Sequence, residues 1–446
     1  MNDSAGSGET PGGAVRGRQN VLALDVPPRM TAIMDESEEP LPVELMAAVN
    51  TREGYTPTLV ATVFGYEGGQ PLFTRSALEG LERDLVSPHI IGVADWDPPV
   101  SWNAQMTGCV IDYTQTTGDD EQLVFGRDYL AVAQGWAVQV TTTSTPQDRF
   151  IMDTLFEEAI RGLSILRAPD RHDAVTVLTG PEPLRASATG APSRIDLGAW
   201  RERAAWTRSD AVSLRPATLE ALVSMDLEDP VLPDDANLLR DLTGAELLGP
   251  GGLSGDALFL SELLQVADSG LAVTMYRDGR QSALNCAMFG ETTAVLWGPS
   301  YGQLAYGHPG EASERRSGAA VIPTVELSST VCGWLGLGPA WTDDEAPVLT
   351  SPDLVDRIVS GDPVRLEAFD PNSTLYLWHI NTWAGGRSLD DVFALNTGPR
   401  GHFQVRADTT NADSIVLWPA DSSWIARMIE DRVQAAYFDR PVTLDA

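Results

Sequence analysis

Lysine is absent from this chain of 446 residues. Its 63 acidic side chains face 30 basic ones, all arginine, and the net charge is −33. Without lysine there can be no P-loop lysine, no Schiff base to pyridoxal phosphate and no kinase-type strand lysine. So negative a chain repels phosphate backbones and anionic membrane surfaces. We therefore expect no nucleic-acid partner and no membrane insertion.

Cysteine and histidine are scarce too. Cys109, Cys286 and Cys332 form no CxxC pair, which is typical of reduced thiols in the cytosol. The five histidines show no metal-ligand spacing, so we expect neither a metal nor a cofactor. The first twenty residues hold no apolar signal core, and no run approaches 18 apolar residues. The sequence thus predicts a cytoplasmic protein without a membrane span.

What the chain does contain is enough apolar material for packed cores, with 43% hydrophobic residues and 12 tryptophans. At this length we expect two domains. The composition along the chain predicts a disordered acidic arm over 1–41, an α+β domain over 42–167, a linker over 168–210 and a second α+β domain over 211–446.

The first domain mixes strand and helix signals. Thr58–Phe64 is rich in β-branched residues, and Arg75–Leu85 has leucines at helical spacing. Around Gln134-Gly135 two strands follow each other, and the second alternates apolar and polar residues from Trp136. A helix begins at Pro146, which follows Thr145. These signals predict an antiparallel sheet closed by a C-terminal helix.

The second domain repeats one order of elements. A helix over Leu258–Val266 precedes two strands joined by Asp278-Gly279, a strong hairpin signal. A helix over Val325–Leu335 ends this half. Helix, antiparallel strands and helix then recur up to the final helix from Ser422. The predicted fold class is therefore α+β, with a largely antiparallel sheet and packed helices in each domain and a pseudo-two-fold second domain.

One segment matches a catalytic pattern. Gly298-Pro299-Ser300-Tyr301-Gly302 has the G-x-S-x-G spacing of a nucleophile elbow, which needs a strand before it and a helix directly after. The strand is predicted, but residues 303–319 are rich in glycine and charge, which predicts a turn instead of a helix. His379 and His402 could be nominated as partners. A serine hydrolase centred on Ser300 stays an alternative to a non-enzymatic protein.

Two tryptophans stand in glycine- and aspartate-rich turns, although most of the twelve should be core. Trp341 lies in GLGPAWTDD and Trp383 in NTWAGGRS. Rings exposed on such turns would act as anchors for a partner protein. Trp341 and Trp383 are therefore the predicted partner-binding residues.

Residues 41–166 resemble the LpqN-like group of Mog1/PsbP-like domains. The segments that carry the resemblance are YTPTLVATVFGYEGG, RSALEGLERDLV, FGRDYLAVAQGWAVQVTTTS and DRFIMDTLFEEAIRGLSIL. The resemblance implies an α/β/α-type sandwich that binds or scaffolds and does not catalyse. The chain lacks the lipobox of the family's lipoprotein members.

The second domain resembles the EspG family, the cytosolic chaperones of type VII (ESX) secretion in high-GC Gram-positive bacteria. The resemblance lies in RPATLEALVSMDL, in SELLQVADSGLAVTMYRDGR and in the ending LNTGPRGHFQVRADTTNADSIVLWPADSSWIARMIEDRV. Asn396 replaces an aspartate of the family pattern, and Gly401-His402 replaces Gly-Arg. The resemblance implies a non-enzymatic chaperone or adaptor that binds a helical secreted substrate or a machine component. A general interaction scaffold stays open as a further alternative.

Overall fold

The chain folds into two compact units, Met1–Asp196 and Leu197–Ala446. The computed structural model describes residues 14–33, 43–49, 55–86, 88–104, 107–117, 122–170, 173, 175–176, 194–203, 212–225, 234–250, 252–306, 317–341, 347–362, 364, 375–398, 401–411 and 413–438. Both units combine helices with antiparallel sheets, which confirms the predicted α+β class. Within these ranges no helix is long and apolar enough to cross a bilayer.

The first unit contains eleven strands and two helices among its described residues. In chain order they are β1 (Ala14–Arg16), β2 (Leu22–Asp25), β3 (Met30–Ile33), β4 (Leu45–Val49), β5 (Thr58–Tyr66), α1 (Gln70–Asp84), β6 (His89–Trp96), β7 (Gly108–Thr117), β8 (Gln122–Ala133), β9 (Trp136–Ser144), α2 (Arg149–Arg161), β10 (Leu163–Ile165) and β11 (Val175–Thr176).

The main sheet of the first unit has the order β3-β4-β5-β9-β8-β7-β6, with β11 parallel to the end of β5. All neighbours in this order are antiparallel, and a hairpin connects β8 to β9. Gln134 and Gly135 both have positive φ, as a two-residue hairpin turn requires. α2 packs on one face of the sheet and buries Phe156 and Ile160 in the core, whereas α1 packs on the other face over β7 and β8.

The first strands correct the prediction of a disordered arm over 1–41. Residues 14–33 form β1, β2 and β3, and Leu22 and Leu24 are buried in the core of the first unit. The reason is Glu44, whose buried carboxylate accepts hydrogen bonds from the backbone N–H groups of Gln19 (2.7 Å), Val21 (2.8 Å) and Leu22 (3.2 Å). Residues 1–13 and 34–41 lie outside the described residues.

A buried ionic network joins the sheet to α2. Asp112 and Arg127 are paired across β7 and β8, with 2.5 Å between Asp112 Oδ1 and Arg127 Nε. Arg149 approaches Asp112 Oδ2 at 3.7 Å, and Asp153 lies 3.4 Å from Arg127 and 3.7 Å from Arg149. The Arg149 guanidinium also lies 3.5 Å from the centre of the Phe125 ring. Two cations and two anions thus compensate each other inside the unit.

The opposite face of the same sheet buries one carboxyl group, that of Asp128. It accepts hydrogen bonds from Thr141 Oγ1 (2.7 Å), Gln139 Nε2 (2.9 Å) and Tyr113 OH (3.5 Å). Burial raises the pKa of Asp128 to about 6, although these three hydrogen bonds oppose the rise. The native protein therefore retains a proton on Asp128 at a pH where the unfolded chain has already lost it.

This difference predicts a pH-dependent stability. Because the folded pKa is raised, the contribution of Asp128 is present in full below about pH 4 and is lost as the pH rises through 6. We expect Asp128→Asn to remove this component, on the order of 3 kcal/mol between pH 4 and pH 7. Urea unfolding of the full chain at several pH values measures it, with Glu79→Gln, which removes an exposed carboxyl, as the control. Parallel pH profiles of wild type and Asp128→Asn would contradict this account.

The second unit contains twelve strands and eight helices among its described residues. In chain order they are α3 (Gly198–Arg203), β12 (Val212–Leu214), α4 (Pro216–Val223), α5 (Ala236–Gly244), β13 (Leu248–Gly249), β14 (Gly252–Leu253), α6 (Gly255–Val266), β15 (Ser269–Arg277), β16 (Arg280–Phe289), β17 (Thr292–Trp297), α7 (Tyr301–Tyr306), β18 (Ser317–Pro323), α8 (Leu327–Leu335), β19 (Val348–Thr350), α9 (Leu354–Ser360), β20 (Tyr376–Ala384), β21 (Arg387–Asn396), β22 (His402–Ala407), β23 (Ile415–Ala420) and α10 (Ser422–Phe438).

The ten-stranded sheet of this unit has the predicted pseudo-two-fold arrangement, with the order β12-β18-β17-β16-β15-β20-β21-β22-β23-β19. Four strands lie on each side of the central β15–β20 pair. In both central hairpins a strand of 9 residues and a strand of 10 residues flank a two-residue turn of positive φ. The local axis passes through the Val273–Ile380 pair, whose side chains are fully buried.

Helices cover the two faces of the sheet differently. Face A carries α4, α5 and α6 over the first half and α9 over the second half. Face B carries α10, which packs over β15, β20 and β21 and against α8. On face B, Ser422 donates a hydrogen bond to Gly338 O (2.8 Å), and the buried Arg432 pairs with Asp390. In the second half, α10 therefore covers β20 and β21 on face B and does not extend over the outer strands β23 and β19.

The structure differs from the prediction after β17 and within the predicted linker. α7 follows Ser300 directly and β18 covers 317–323, although their glycine content predicted irregular chain. Residues 168–210 include β11 and α3, and the boundary between the two units falls between Asp196 and Leu197 in the sequence.

Candidate functional site

Among the tryptophans that the structure describes, Trp418 is the exposed one, and it lies on face B of the second unit. Trp418 is 43% exposed, and Leu349 on the adjacent edge strand is 66% exposed. Val416 pairs with Leu349 on one side and with Arg406 on the other, so these three residues form a row across the strands next to Trp418. We term Leu349, Arg406, Val416 and Trp418 the Trp418 patch.

The pseudo-two-fold axis assigns an equivalent position in the first half to each residue of the Trp418 patch. From the axis outward, Val273, Leu284, Trp297, Gly318 and Ser213 lie in one row, and Ile380, Val392, Arg406, Val416 and Leu349 lie in the equivalent row. In the next row, the registers make Ala320 the equivalent of Trp418.

Three of the four equivalent residues in the first half are small, and the fourth, the equivalent of Arg406, is the buried Trp297. Ser213, Gly318 and Ala320 stand where the second half has Leu349, Val416 and Trp418. Positions 213 and 320 therefore accept small side chains in this fold, whereas Gly318 is small because the Trp297 ring lies over it. Exposed leucine and tryptophan cost solubility without stabilising a core, so this patch has the composition of an interaction surface.

The patch has one charged group, and it is a cation. The Arg406 guanidinium lies 5.4 Å from the Trp418 ring centre, a cation–π arrangement, and Arg406 Nε donates to Gln404 Oε1 (2.6 Å). Arginine stacked on tryptophan keeps both side chains in one orientation. Tryptophan and arginine are also the residue types that contribute most to protein–protein affinity.

The two tryptophans predicted from the sequence are placed differently. Trp383 lies inside β20 and not in a turn, and it is half-buried because its ring packs on Gly270. Trp341 is half-buried beside Gly401. They do not share a site, since Gly401 lies at the Tyr376 end of β20 and Trp383 lies at the other end. Their role in partner binding stays a prediction.

The sequence offered a signal for Trp418 that the prediction did not use. Successive side chains of a strand point to opposite faces of the sheet. Trp418 follows the buried Leu417 in β23, so it lies on the face opposite that of Leu417. Whether that face is covered depends on where α10 packs, which the local pattern does not contain.

Ser300 has part of the predicted elbow context. β17 precedes it and α7 begins at the next residue, so the expected absence of a helix is wrong. The side chain is only 2% exposed, and its backbone φ is not among the positive values found in the described residues. The Ser300 N–H donates to Gln303 Oε1 (2.8 Å). These bonds and angles are those of an ordinary turn and not of a strained one.

The two nominated histidines have other partners. His379 Nε2 lies within hydrogen-bond distance of Asp391 Oδ1, on face A. His402 Nδ1 lies 3.3 Å from Ser422 Oγ beneath α10. Burial and, to a smaller extent, the Arg201 guanidinium lower the pKa of His402 to about 3, so the imidazole is neutral. In the described ranges, no cluster of three or more His, Cys, Asp or Glu side chains could hold a metal ion.

No family model matches the chain, and no curated protein matches it. Several solved structures are similar to part of it. LpqN of Mycobacterium tuberculosis, described as involved in cell envelope biogenesis, is 14% identical over 36% of this chain and 87% of its own, with a TM-score of 0.25. The cyanobacterial PsbP of Synechocystis is 8% identical over 37% of this chain and 98% of its own (TM-score 0.26).

A Pseudomonas aeruginosa protein of unknown function, described as a putative regulator, is 14% identical over 36% of this chain and all of its own length (TM-score 0.23). The similar structures therefore include LpqN and a PsbP protein. At these identities and TM-scores, they define neither the fold nor the function of this chain.

Proposed function

We propose that the protein is a non-enzymatic cytoplasmic adaptor that binds a helical segment of a partner protein on the Trp418 patch. The observation that carries the proposal is the contrast between Leu349, Val416 and Trp418 and the small residues at the equivalent positions of the first half. An amphipathic helix fits such a surface because it presents an apolar stripe to a shallow patch.

The biological setting of the proposal comes from the EspG resemblance of the second unit. On that resemblance, the proposed setting of the adaptor is type VII secretion, and its proposed partner is a helical secreted substrate or a component of the secretion machine. The net charge of −33 supports a partner whose contact face is neutral to basic, because electrostatic steering favours such an encounter.

The test replaces two residues of the Trp418 patch by the residues at the equivalent positions of the first half. Leu349→Ser with Trp418→Ala reproduces Ser213 and Ala320, which are compatible with the same strand positions. Tagged wild type, this double variant and Val359→Ala, a control at another exposed apolar residue, are purified from the cells that naturally make the protein. We expect a helical secreted protein to be retained by wild type and control and reduced about tenfold or more by the double variant. Equal recovery of every protein by all three would overturn the proposal.

The absence of hydrolase activity is a separate prediction. Because Ser300 is buried in an ordinary turn, a fluorophosphonate probe is expected to label wild type and Ser300→Ala to the same extent. Labelling that is lost only in Ser300→Ala would contradict the non-enzymatic assignment. An intact native fold of the variant, checked by circular dichroism, is the control.

A further inference from the structure

Face A leaves the centre of the ten-stranded sheet half-exposed. We term the half-buried residues Ala272, Thr274, His379, Asn381 and Trp383 the central groove. They lie on β15 and β20, between α6, which packs over β16 and β17, and α9, which packs over the other end of β15 and β20. The middle of a sheet is the place that a layered domain normally covers.

The pseudo-two-fold axis shows what is missing from the groove. α9 covers Tyr276 and Leu377, whose equivalents are Trp383 and Gly270. In chain order α6 corresponds to α9, since each precedes the first strand of a central hairpin. α6 packs over β16 and β17 instead, so no helix of the described residues occupies the position equivalent to that of α9.

The floor of the groove is polar. The second half of the sheet contributes a hydrogen-bonded His379–Asp391 pair to it, which the first half lacks. His379 is bonded to Asp391 and stacks on Phe393, with ring centroids 4.4 Å apart and planes 8° apart. The equivalent of His379 is Ala272, so the symmetry of the fold does not require this pair. Asn381 Nδ2 donates to Ser388 Oγ (3.0 Å) beside it.

Two exposed carboxylates border the groove, and the exposed Arg387 follows the turn at its Trp383 end. The Asp391 side chain is 55% exposed, and Asp268 is exposed at the Trp383 end, where its carbonyl oxygen accepts a hydrogen bond from Gly386 N–H (3.4 Å). Asp391 and Asp268 lie near the Trp383 ring. A cationic side chain in the groove can pair with these carboxylates and lie on the ring.

We propose that the central groove binds a cationic amphipathic helix of a partner protein. A partner strand cannot be added here, because the backbone groups of β15 and β20 already pair with each other. β15, β20 and β21 together span about 10 Å, which is close to the diameter of one helix with its side chains. The groove lies on the face opposite the Trp418 patch, so this contact is additional to the proposed function and independent of it.

The probe is a synthetic helix of leucine and lysine, LKKLLKLLKKLLKL, with a leucine–glutamate version of the same pattern as the negative probe. Binding to the full chain is measured by calorimetry at physiological ionic strength. Thr274→Arg introduces a like charge on the floor, and Asp391→Asn removes an attractive one. Each is expected to weaken binding of the lysine helix about tenfold or more.

The controls separate the groove from the general negative charge of the chain. Ser213→Arg and Asp413→Asn make the same charge changes at exposed positions elsewhere and are expected to alter affinity less than about twofold. If the controls weaken binding as much as the groove variants, or if the lysine helix does not bind, the proposal is overturned. None of these results depends on Trp418.

Discussion

Replacing Asp112 by alanine is expected to destabilise the first unit by about 3–5 kcal/mol, because it leaves two buried arginines with one carboxylate. Arg127 and Arg149 are both almost fully buried, and Asp112 lies 2.5 Å from Arg127 and 3.7 Å from Arg149. Asp153 remains, but it lies no closer than 3.4 Å to either guanidinium. An uncompensated buried cation has no access to water and cannot lose its proton.

Hydrogen exchange of β7 and β8 peptides, measured in the full chain over a urea series, reports this loss without interference from the second unit. Arg75→Ala is the matched control: it removes an ion pair with Glu79 that is exposed on α1, and it is expected to cost about 0.5 kcal/mol or less. A cost for Asp112→Ala below about 1 kcal/mol would show that the network is not the constraint that joins the sheet to α2.

Replacing Glu44 by alanine is expected to release the first two strands. Three backbone N–H groups, those of Gln19, Val21 and Leu22, would lose their acceptor, at about 1–3 kcal/mol for each group that stays buried. While β2 stays docked, the N–H groups of Val21 and Leu22 cannot reach water, so we expect β1 and β2 to open locally more often, against the burial of Leu22 in the core.

Limited proteolysis measures this release directly. The chain has no lysine, so trypsin cleaves only after arginine, and Arg16 and Arg18 lie in the segment that Glu44 holds. We expect cleavage there to become about tenfold faster or more in Glu44→Ala. Glu44→Gln keeps one acceptor oxygen and should be intermediate. Unchanged protection of Arg16 and Arg18 in Glu44→Ala would refute this role.

Local patterns were sufficient to predict most of the second unit. Asp278-Gly279 fixes a hairpin because both residues tolerate positive φ, and the alternation on either side gives the strands. The recurrence of helix, strands and helix then predicted the pseudo-two-fold sheet, with the final helix beginning at Ser422 as expected. Each of these predictions rests on residues that are close together in the sequence, so one sequence is enough to make it.

The errors arose where a long-range partner decides the structure. Composition predicted disorder over 1–41, since nothing near Leu22 indicates that Glu44 will satisfy its backbone. For the same reason, the exposure of Trp418 could not be predicted. Its strand is recognisable, but its exposure follows from the position of α10 over β15, β20 and β21. The turn context that selected Trp383 was wrong because β20 continues through that residue.

The most direct test of the account is photo-cross-linking at two equivalent positions. A benzophenone amino acid replaces Leu349 in one protein and Ser213 in the other, both exposed on face B at the opposite edges of the sheet. After irradiation in the cells that naturally make the protein, we expect adducts with a helical secreted protein or secretion component from position 349 and none from position 213. Equal adducts at both positions, or adducts from position 213 alone, would contradict it.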